Sequence, residues 1–218
     1  MKNNLKKQYE LRFSEIQEYR NKVWRTLNKM FFQQYIPENS DILDVGSGWG
    51  EFINNIEGKR KIAMDYNEGA KQYLDQSIEF INQDCSSEWP LAADSLDVVF
   101  TSNFLEHLPS KEHIEKTFSQ ASRCLKPGGR LICLGPNVKY LPGIYWDFWD
   151  HNIPITEMSL VELLKLNDFL PEKCLDKFIP YRMSNRQPPL IFLKIYLALP
   201  IAWKFFGQQF LIVAKNIK

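Results

Sequence analysis

The residues with the clearest chemical potential lie in the string Asp41-Ile42-Leu43-Asp44-Val45-Gly46-Ser47-Gly48-Trp49-Gly50. Glycines stand at alternate positions, 46, 48 and 50, straight after a short apolar run. Glycine reaches positive φ and lacks a Cβ, so such a loop lets main-chain N–H groups close on a ligand. A helix after the loop adds free N–H groups and the positive end of its dipole, which suits a carboxylate or a phosphate. Asp44, two residues before the first glycine, places an anion beside the same loop.

Spacing narrows the ligand. A dinucleotide fingerprint sets its third glycine three residues after the second. Here Glu51 holds that place and Gly50 comes one residue early. Two more acids follow. Asp65 ends the apolar segment KIAMD (61–65), and Asp84 follows IEFI (78–81). A carboxylate at Asp65 can accept both hydroxyls of a ribose, and one at Asp84 can accept from an exocyclic amine. Each acid alone reads as a solvated loop residue. Three acids at the carboxyl ends of three successive strands share the ligand-binding edge of an open sheet.

Three histidines are present. His107 follows Glu106, and His151 follows Asp150 behind the aromatic run Tyr145, Trp146, Phe148 and Trp149. An imidazole titrates near neutrality, and a carboxylate neighbour orients it. His107 and His151 are therefore the candidate catalytic residues. His113, beside Glu112, reads as a solvated helix face. No His, Asp and Glu sit at metal-ligand spacing, so no metal is expected. The aromatic run packs a loop, or forms a wall that stacks on a ring acceptor and dries the site. Arg182, Arg186, Lys194 and Lys204 can receive a phosphate on an acceptor, although a solvated face is the simpler reading.

These residues need elements to position them. Residues 5–35 carry an apolar stripe at helical spacing, ended by Pro37. Short apolar runs then alternate with helical patterns. Strands are expected at Ile42–Val45, Lys61–Asp65, Ile78–Ile81, Leu96–Thr101 and Arg130–Leu134. Helices are expected at 50–57, Gly69–Gln76, Lys111–Leu125 and 157–167. Cys174–Ile179 and Phe210–Ala214 read as closing strands. Such alternation implies parallel βαβ units and an open sheet covered on both faces. The expected organisation is an N-terminal helical extension over 1–37 and one domain over 38–218, with an apolar insertion at about 181–207. Residues 188–206 are very apolar, but Lys194 and Pro200 interrupt them. They read as a helix or helix pair capping the domain, with a surface that touches lipid or a hydrophobic substrate, or a membrane span, as the alternatives.

Composition sets outer bounds. The 218 residues suit one α/β domain. Apolar residues at 44% and charged residues at 24% describe a globular chain. Lys plus Arg number 27 against 26 Asp plus Glu, so no global basic field draws in nucleic acid, and none is expected as a partner. The four cysteines include no CxxC pair and read as small hydrophobes in a reducing, cytoplasmic setting. The N-terminal MKNNLKKQYELRF has no apolar core and does not read as a secretory signal.

Residues 41–134 resemble the class I methyltransferases that use S-adenosylmethionine. The motifs that carry this are DVGSGWG (44–50), KIAMD (61–65), INQD (81–84), LDVVFTSNFLEHLP (96–109) and LKPGGRLI (125–132). The string DHNIPITEMSLVELL (150–164) is similar, more loosely, to members found near polysaccharide or glycolipid assembly. The resemblance implies a Rossmann-like α/β fold, with an open, mostly parallel seven-stranded sheet and helices on both faces. It implies S-adenosylmethionine as cofactor. Gly46, Ser47, Gly48 and Gly50 then shape the pocket for its methionine part, and Asp44 holds its ammonium indirectly. Asp65 takes the ribose hydroxyls, with Met64 and Tyr66 packing on the adenine. Asp84 and the Cys85 backbone fix the adenine, and Ser102 and Asn103 lie beneath the sulfonium.

A sulfonium is already a strong methyl donor, so the protein mainly aligns the acceptor and excludes water. The expected reaction is methyl transfer to a small molecule, on an oxygen of a sugar, glycan or lipid-linked intermediate. The alternatives are a nicotinamide-linked oxidoreductase and a non-catalytic module that keeps the cofactor pocket.

Overall fold

The structure, a computed structural model, describes residues 14–181 and 187–218. Seven strands form one sheet: β1 (Asp41–Val45), β2 (Arg60–Met64), β3 (Glu79–Ile81), β4 (Leu96–Ser102), β5 (Leu125–Pro136), β6 (Phe169–Leu175) and β7 (Gln209–Asn216). Their order is β3-β2-β1-β4-β5-β7-β6. Strands β1 to β5 run parallel, and β7 is antiparallel to both β5 and β6. The order reverses direction between β1 and β4. At such a switch point the loops leaving the two strands part and open a crevice.

Alternating residues of each strand serve opposite faces. Leu43, Val45, Val99 and Leu131 pack under α3 (Lys111–Cys124) and α4 (Glu157–Leu166). Ile42, Val98, Phe100 and Ile132 pack under α1 (Gln17–Met30), α2 (Glu51–Asn55), α5 (Leu190–Ala198) and α6 (Pro200–Phe206). Both sheet faces are therefore apolar, which explains the consecutive apolar residues Ile42 and Leu43 in β1 and Val98, Val99 and Phe100 in β4. On the second face, Phe52 stacks on Phe100 with ring centroids 3.6 Å apart, and Trp24 and Phe32 meet both edge-on. Asn28 Nδ2 donates to the Phe52 carbonyl at 2.9 Å in this buried layer. These contacts fasten α1 to the start of α2, beside the glycine loop.

Local differences from the sequence reading have physical causes. The expected 5–35 helix is, over its described part, α1 flanked by 3₁₀ turns at Ser14–Ile16 and Phe32–Tyr35. Residues 5–13 lie outside the described residues. Phe31 and Phe32 are both buried. Neighbouring helical positions cannot share one face, so the chain leaves the helix to bury both. Glu68–Tyr73 forms 3₁₀ turns rather than the helix expected at Gly69–Gln76. There the Asn67 side chain accepts from Gly69 N and fixes the tighter turn. The strand expected at Cys174–Ile179 is β6, which begins at Phe169 and ends at Leu175. Phe178 leaves the sheet to stack on Phe31, with centroids 4.3 Å apart. The strand expected at Arg130–Leu134 is longer, because the chain stays beside β4 from Leu125 through a bulge. Residues 188–206 form the expected helix pair, broken at Leu199 where Pro200 opens α6. Among the described residues no helix is long and apolar enough to cross a membrane.

Phe100→Ala is expected to cost about 3–5 kcal/mol of unfolding free energy. Phe205→Ala, at a residue 75% exposed, is expected to change it by less than about 0.5 kcal/mol. Urea denaturation followed by circular dichroism checks both.

Candidate functional site

A cavity of about 1640 Å³ opens at the carboxyl ends of β1, β2, β3 and β4. Asp44, Gly46, Ser47 and Gly48 line it from β1 and its loop, and Met64, Asp65 and Tyr66 from β2. Asp84 and Cys85 line it after β3, and Ser102 and Asn103 at the end of β4. The sequence-expected cofactor residues thus converge on one space, with one exception. Gly50 stands behind the loop as the N-cap of α2, at φ +73°. A Cβ there would approach Leu74 Cδ2 to 2.5 Å, so this glycine supports the loop's shape rather than the cavity wall. Trp49 is buried beside it and stacks on Tyr73.

The loop is locked to β2. Gly46 N and Ser47 N both donate to the Met64 carbonyl, at 2.9 and 3.1 Å. Gly46 has φ +72°, and a Cβ there would sit 2.2 Å from the Phe104 ring. Gly48 N donates to Asp65 Oδ2 at 2.9 Å, and Asn67 N to Asp65 Oδ1 at 2.8 Å. Asp65 therefore couples the glycine loop to the loop after β2. The Asp84 carboxylate is oriented by Ser86, whose N and Oγ both donate to Oδ1 at 2.8 Å. The Cys85 thiol receives a bond from Thr117 Oγ1 at 3.2 Å and is pushed up to about 12 by burial, so it stays neutral.

The electrostatics are one-sided. Burial raises the Asp44 carboxyl well above the ordinary carboxylate range, and the charges of Asp65 and Glu51 add to that. Burial also raises Asp65, against the two N–H groups that favour its ionised form. Glu51, the first residue of α2, is held by Arg20 Nε at 2.6 Å. Three carboxylates thus surround the loop, and a cationic ligand relieves them.

Four buried polar atoms that line the cavity have no hydrogen-bond partner among the described residues: Ser47 Oγ, Asn103 Oδ1, Glu106 Oε1 and Gln209 Oε1. Each such atom costs about 1–3 kcal/mol when left unpaired. All four belong to residues that line this one cavity, which suits a polar ligand that completes the site. A ligand with an ammonium, a sulfonium and hydroxyls fits this set of acceptors and charges.

Beyond β4, the 3₁₀ turn Leu105–His107 carries a second group. His107 Nδ1 lies 3.0 Å from the Asp150 carbonyl and 3.2 Å from Asp150 Oδ2. Its Nε2 lies 3.8 Å from Glu106 Oε1. The His151 ring packs edge-on against His107 at 4.8 Å. Asn152 N and Ile153 N donate to the Glu106 carbonyl, at 2.8 and 3.2 Å, and clamp the two segments together. Burial alone would depress His107. The Asp150 hydrogen bond and the charges of Glu106 and Asp150 outweigh it and raise the imidazole above its ordinary value. Burial raises Glu106, against the His107 charge.

The sequence found His107 and His151 but offered no metal-ligand set. The fold changes this, because one ligand atom each of Glu106, His107 and His151 fall within 4.8 Å of one another. That is close enough for the three to surround a cation. Glu106 was missed because its burial is invisible in the chain. The aromatic run divides. Phe148 and Trp149 line the cavity, while Tyr145 is core and bonds the Ile153 carbonyl. Arg182 and Arg186 lie outside the described residues, and Lys194 and Lys204 are exposed. The cavity's other half comes from elements the sequence left as appendages: Tyr19, Arg20, Val23, Trp24 and Leu27 of α1, and Phe192, Leu193 and Tyr196 of α5.

A parallel sheet with a glycine loop and acids after successive strands, at a switch point, defines a Rossmann-like domain built for an adenosyl cofactor. Residues 43–133 match the family model described as a methyltransferase domain, and this match supports a class I S-adenosylmethionine-dependent methyltransferase. This displaces the nicotinamide alternative. The chain is 25% identical over 171 residues to demethylmenaquinone methyltransferase of Halalkalibacterium halodurans, covering 68% of this chain and 65% of that one. It is 32% identical over 136 residues to the ubiquinone/menaquinone biosynthesis C-methyltransferase UbiE of Rickettsia prowazekii, covering 55% and 53%. The chain thus spans between about half and two thirds of the length of these curated relatives. A solved S-adenosylmethionine-dependent methyltransferase from Archaeoglobus fulgidus shares the fold, with a TM-score of 0.64 and 22% identity over 90% of this chain and 94% of that one.

Asp44 ionises less readily in the folded than in the unfolded chain, so its contribution to stability falls as pH rises through the carboxylate range. Asp44→Asn removes that cost. Thermal unfolding of the ligand-free variant at neutral pH is expected to move up, while S-adenosylmethionine affinity falls about 10- to 100-fold. Asp65→Ala is expected to weaken the same affinity by about 1–3 kcal/mol. Calorimetry measures both, and unchanged affinities would place the cofactor elsewhere.

Proposed function

We propose that the protein transfers the methyl group of S-adenosylmethionine to an oxygen of a lipid-linked small molecule. One observation carries this reading. The cavity runs from the glycine loop and its acids into a region walled by Val23, Trp24, Leu27, Phe148, Phe192 and Tyr196. Single-ligand sites hold about 300–1,000 Å³. At about 1640 Å³ this cavity has room for a cofactor and a second, largely apolar molecule.

The cofactor supplies an activated methyl group on a sulfonium. The chain supplies the rest. Asp44 and Glu51 favour the ammonium end, Asp65 accepts the ribose hydroxyls, and Asp84 accepts from the adenine amine. Tyr66 packs against the adenine, and Ser102 and Asn103 form the floor. His107, aligned by Asp150 at Nδ1, presents Nε2 to take the acceptor's proton. Asp150 and Glu106 favour the charged imidazole that results. Phe148 and Trp149 offer ring faces to a sugar or other ring on the acceptor.

A carbon acceptor is the second reading, favoured by the likeness to a C-methyltransferase of quinone biosynthesis. The proton inventory is the same for both. Carbon-13 spectroscopy of a product labelled from the methyl group separates an O–CH₃ from a C–CH₃.

Purified protein incubated with methyl-labelled S-adenosylmethionine and a cellular lipid extract is expected to label an extractable small molecule. The rate is expected to rise with pH as His107 loses its proton, with an inflection above the ordinary imidazole value. His107→Gln should flatten that profile and lower turnover about 10²- to 10⁴-fold, with cofactor affinity retained. Tight cofactor binding with no labelled product from any extract would instead assign a non-catalytic module.

A further inference from the structure

The helix pair α5–α6 buries only part of its apolar surface. Leu197 and Trp203 face the core. Ile191, Phe192, Ile195, Leu199, Ile201, Phe205 and Phe206 are each about half exposed or more. Scattered apolar residues on a surface are ordinary, but a continuous run on two consecutive helices is not. The charge on this segment has one sign. Residues 187–208 contain Lys194 and Lys204 and no Asp or Glu, and both lysines are exposed. The helices are 9 and 7 residues long. A span needs about 20 residues, so this pair can lie on a bilayer but not cross it.

The position of the patch gives it a purpose. Phe192, Phe205 and Phe206 belong to the exposed face and also line the cavity. The cavity's apolar end therefore opens through the patch itself. An acceptor with a long apolar tail would otherwise have to leave a membrane and cross water to reach that opening.

We infer that α5–α6 is a docking face for an anionic lipid surface, and that the acceptor is a bilayer lipid that reaches the site through the mouth framed by Phe192, Phe205 and Phe206. This rests on the proposed reading of the cavity as cofactor site plus acceptor site. The apolar side chains enter the headgroup boundary, while Lys194 and Lys204 extend their ammonium groups to the lipid phosphates. Docked in this way, the mouth faces the lipid phase and the glycine loop stays on the water side of the cavity.

The full chain is mixed with vesicles of phosphatidylcholine, with and without phosphatidylglycerol at a third of the lipid, and floated on a density gradient. Binding to the anionic vesicles, weakened by salt, is the expected result. Ile191→Glu and Ile201→Glu lie on the exposed face and outside the cavity lining. Combined, they should lower vesicle binding at least about tenfold, with cofactor affinity and thermal midpoint unchanged. They should also lower methyl labelling of a lipid extract presented in vesicles, but not of the same extract in detergent micelles. No flotation of the wild-type chain would overturn the inference. So would an equal loss of labelling in vesicles and micelles. A stable dimer in sedimentation, dissociated by Ile201→Glu, would show instead that a second copy covers the face. Loss of cofactor binding by the wild type is a separate outcome that defeats the functional reading itself.

Discussion

Three carboxylates drawn together against the glycine loop are the constraint on which the site depends. Asp44, Asp65 and Glu51 converge there, burial resists the ionisation of Asp44 and Asp65, and the Arg20 guanidinium stands beside Glu51. A fold optimised only for stability would not keep such a group. The arrangement makes sense when a cation completes it, since the interaction then gains from the same low dielectric that penalises the empty site. Asp65 shows how closely structure and binding are joined. Its two oxygens tie the glycine loop to the loop after β2 before any ligand arrives, so much of the ordering is complete in advance.

Around that point the chain closes from both ends. Parallel strands buried on both faces give a rigid base, and their switch point opens the crevice. The walls above the crevice are supplied by α1 from the N-terminal side and α5 from the C-terminal side. Tyr19 OH donates to the Pro188 carbonyl at 2.8 Å and ties the two together. The sheet supplies the glycine loop and the acids after its strands, while the distant segments supply the largely apolar rest of the cavity wall. This division lets one fold serve many substrates.

The same division explains the tension at the surface. The exposed apolar residues of α5–α6 weaken solubility and add little to the core, as residues kept for an interaction do. Their continuity with the cavity links that cost to the acceptor. The group of Glu106, His107, Asp150 and His151 lies in the same cavity.

The cofactor half was legible in the chain because it is local. Gly46, Gly48 and the acids Asp44, Asp65 and Asp84 each sit at a strand end, and strand ends are marked by where apolar runs stop. The parallel sheet followed from the same alternation. The helix expected at 69–76 and the strand expected at 174–179 were displaced by the Asn67 turn and by the burial of Phe178, tertiary preferences that outweigh local pattern. The acceptor half could not be read. Val23 and Phe192 lie far apart in sequence and meet only because the sheet brings α1 and α5 to one face. Likewise Glu106 gains its meaning from His151, which the clamp of Asn152 and Ile153 on the Glu106 carbonyl delivers. The sequence determined which ligand chemistry the strand ends offer, because that is set by residue types a few positions apart. The tertiary structure alone decided what faces that chemistry across the cavity, because packing, not spacing, sets distances between remote segments.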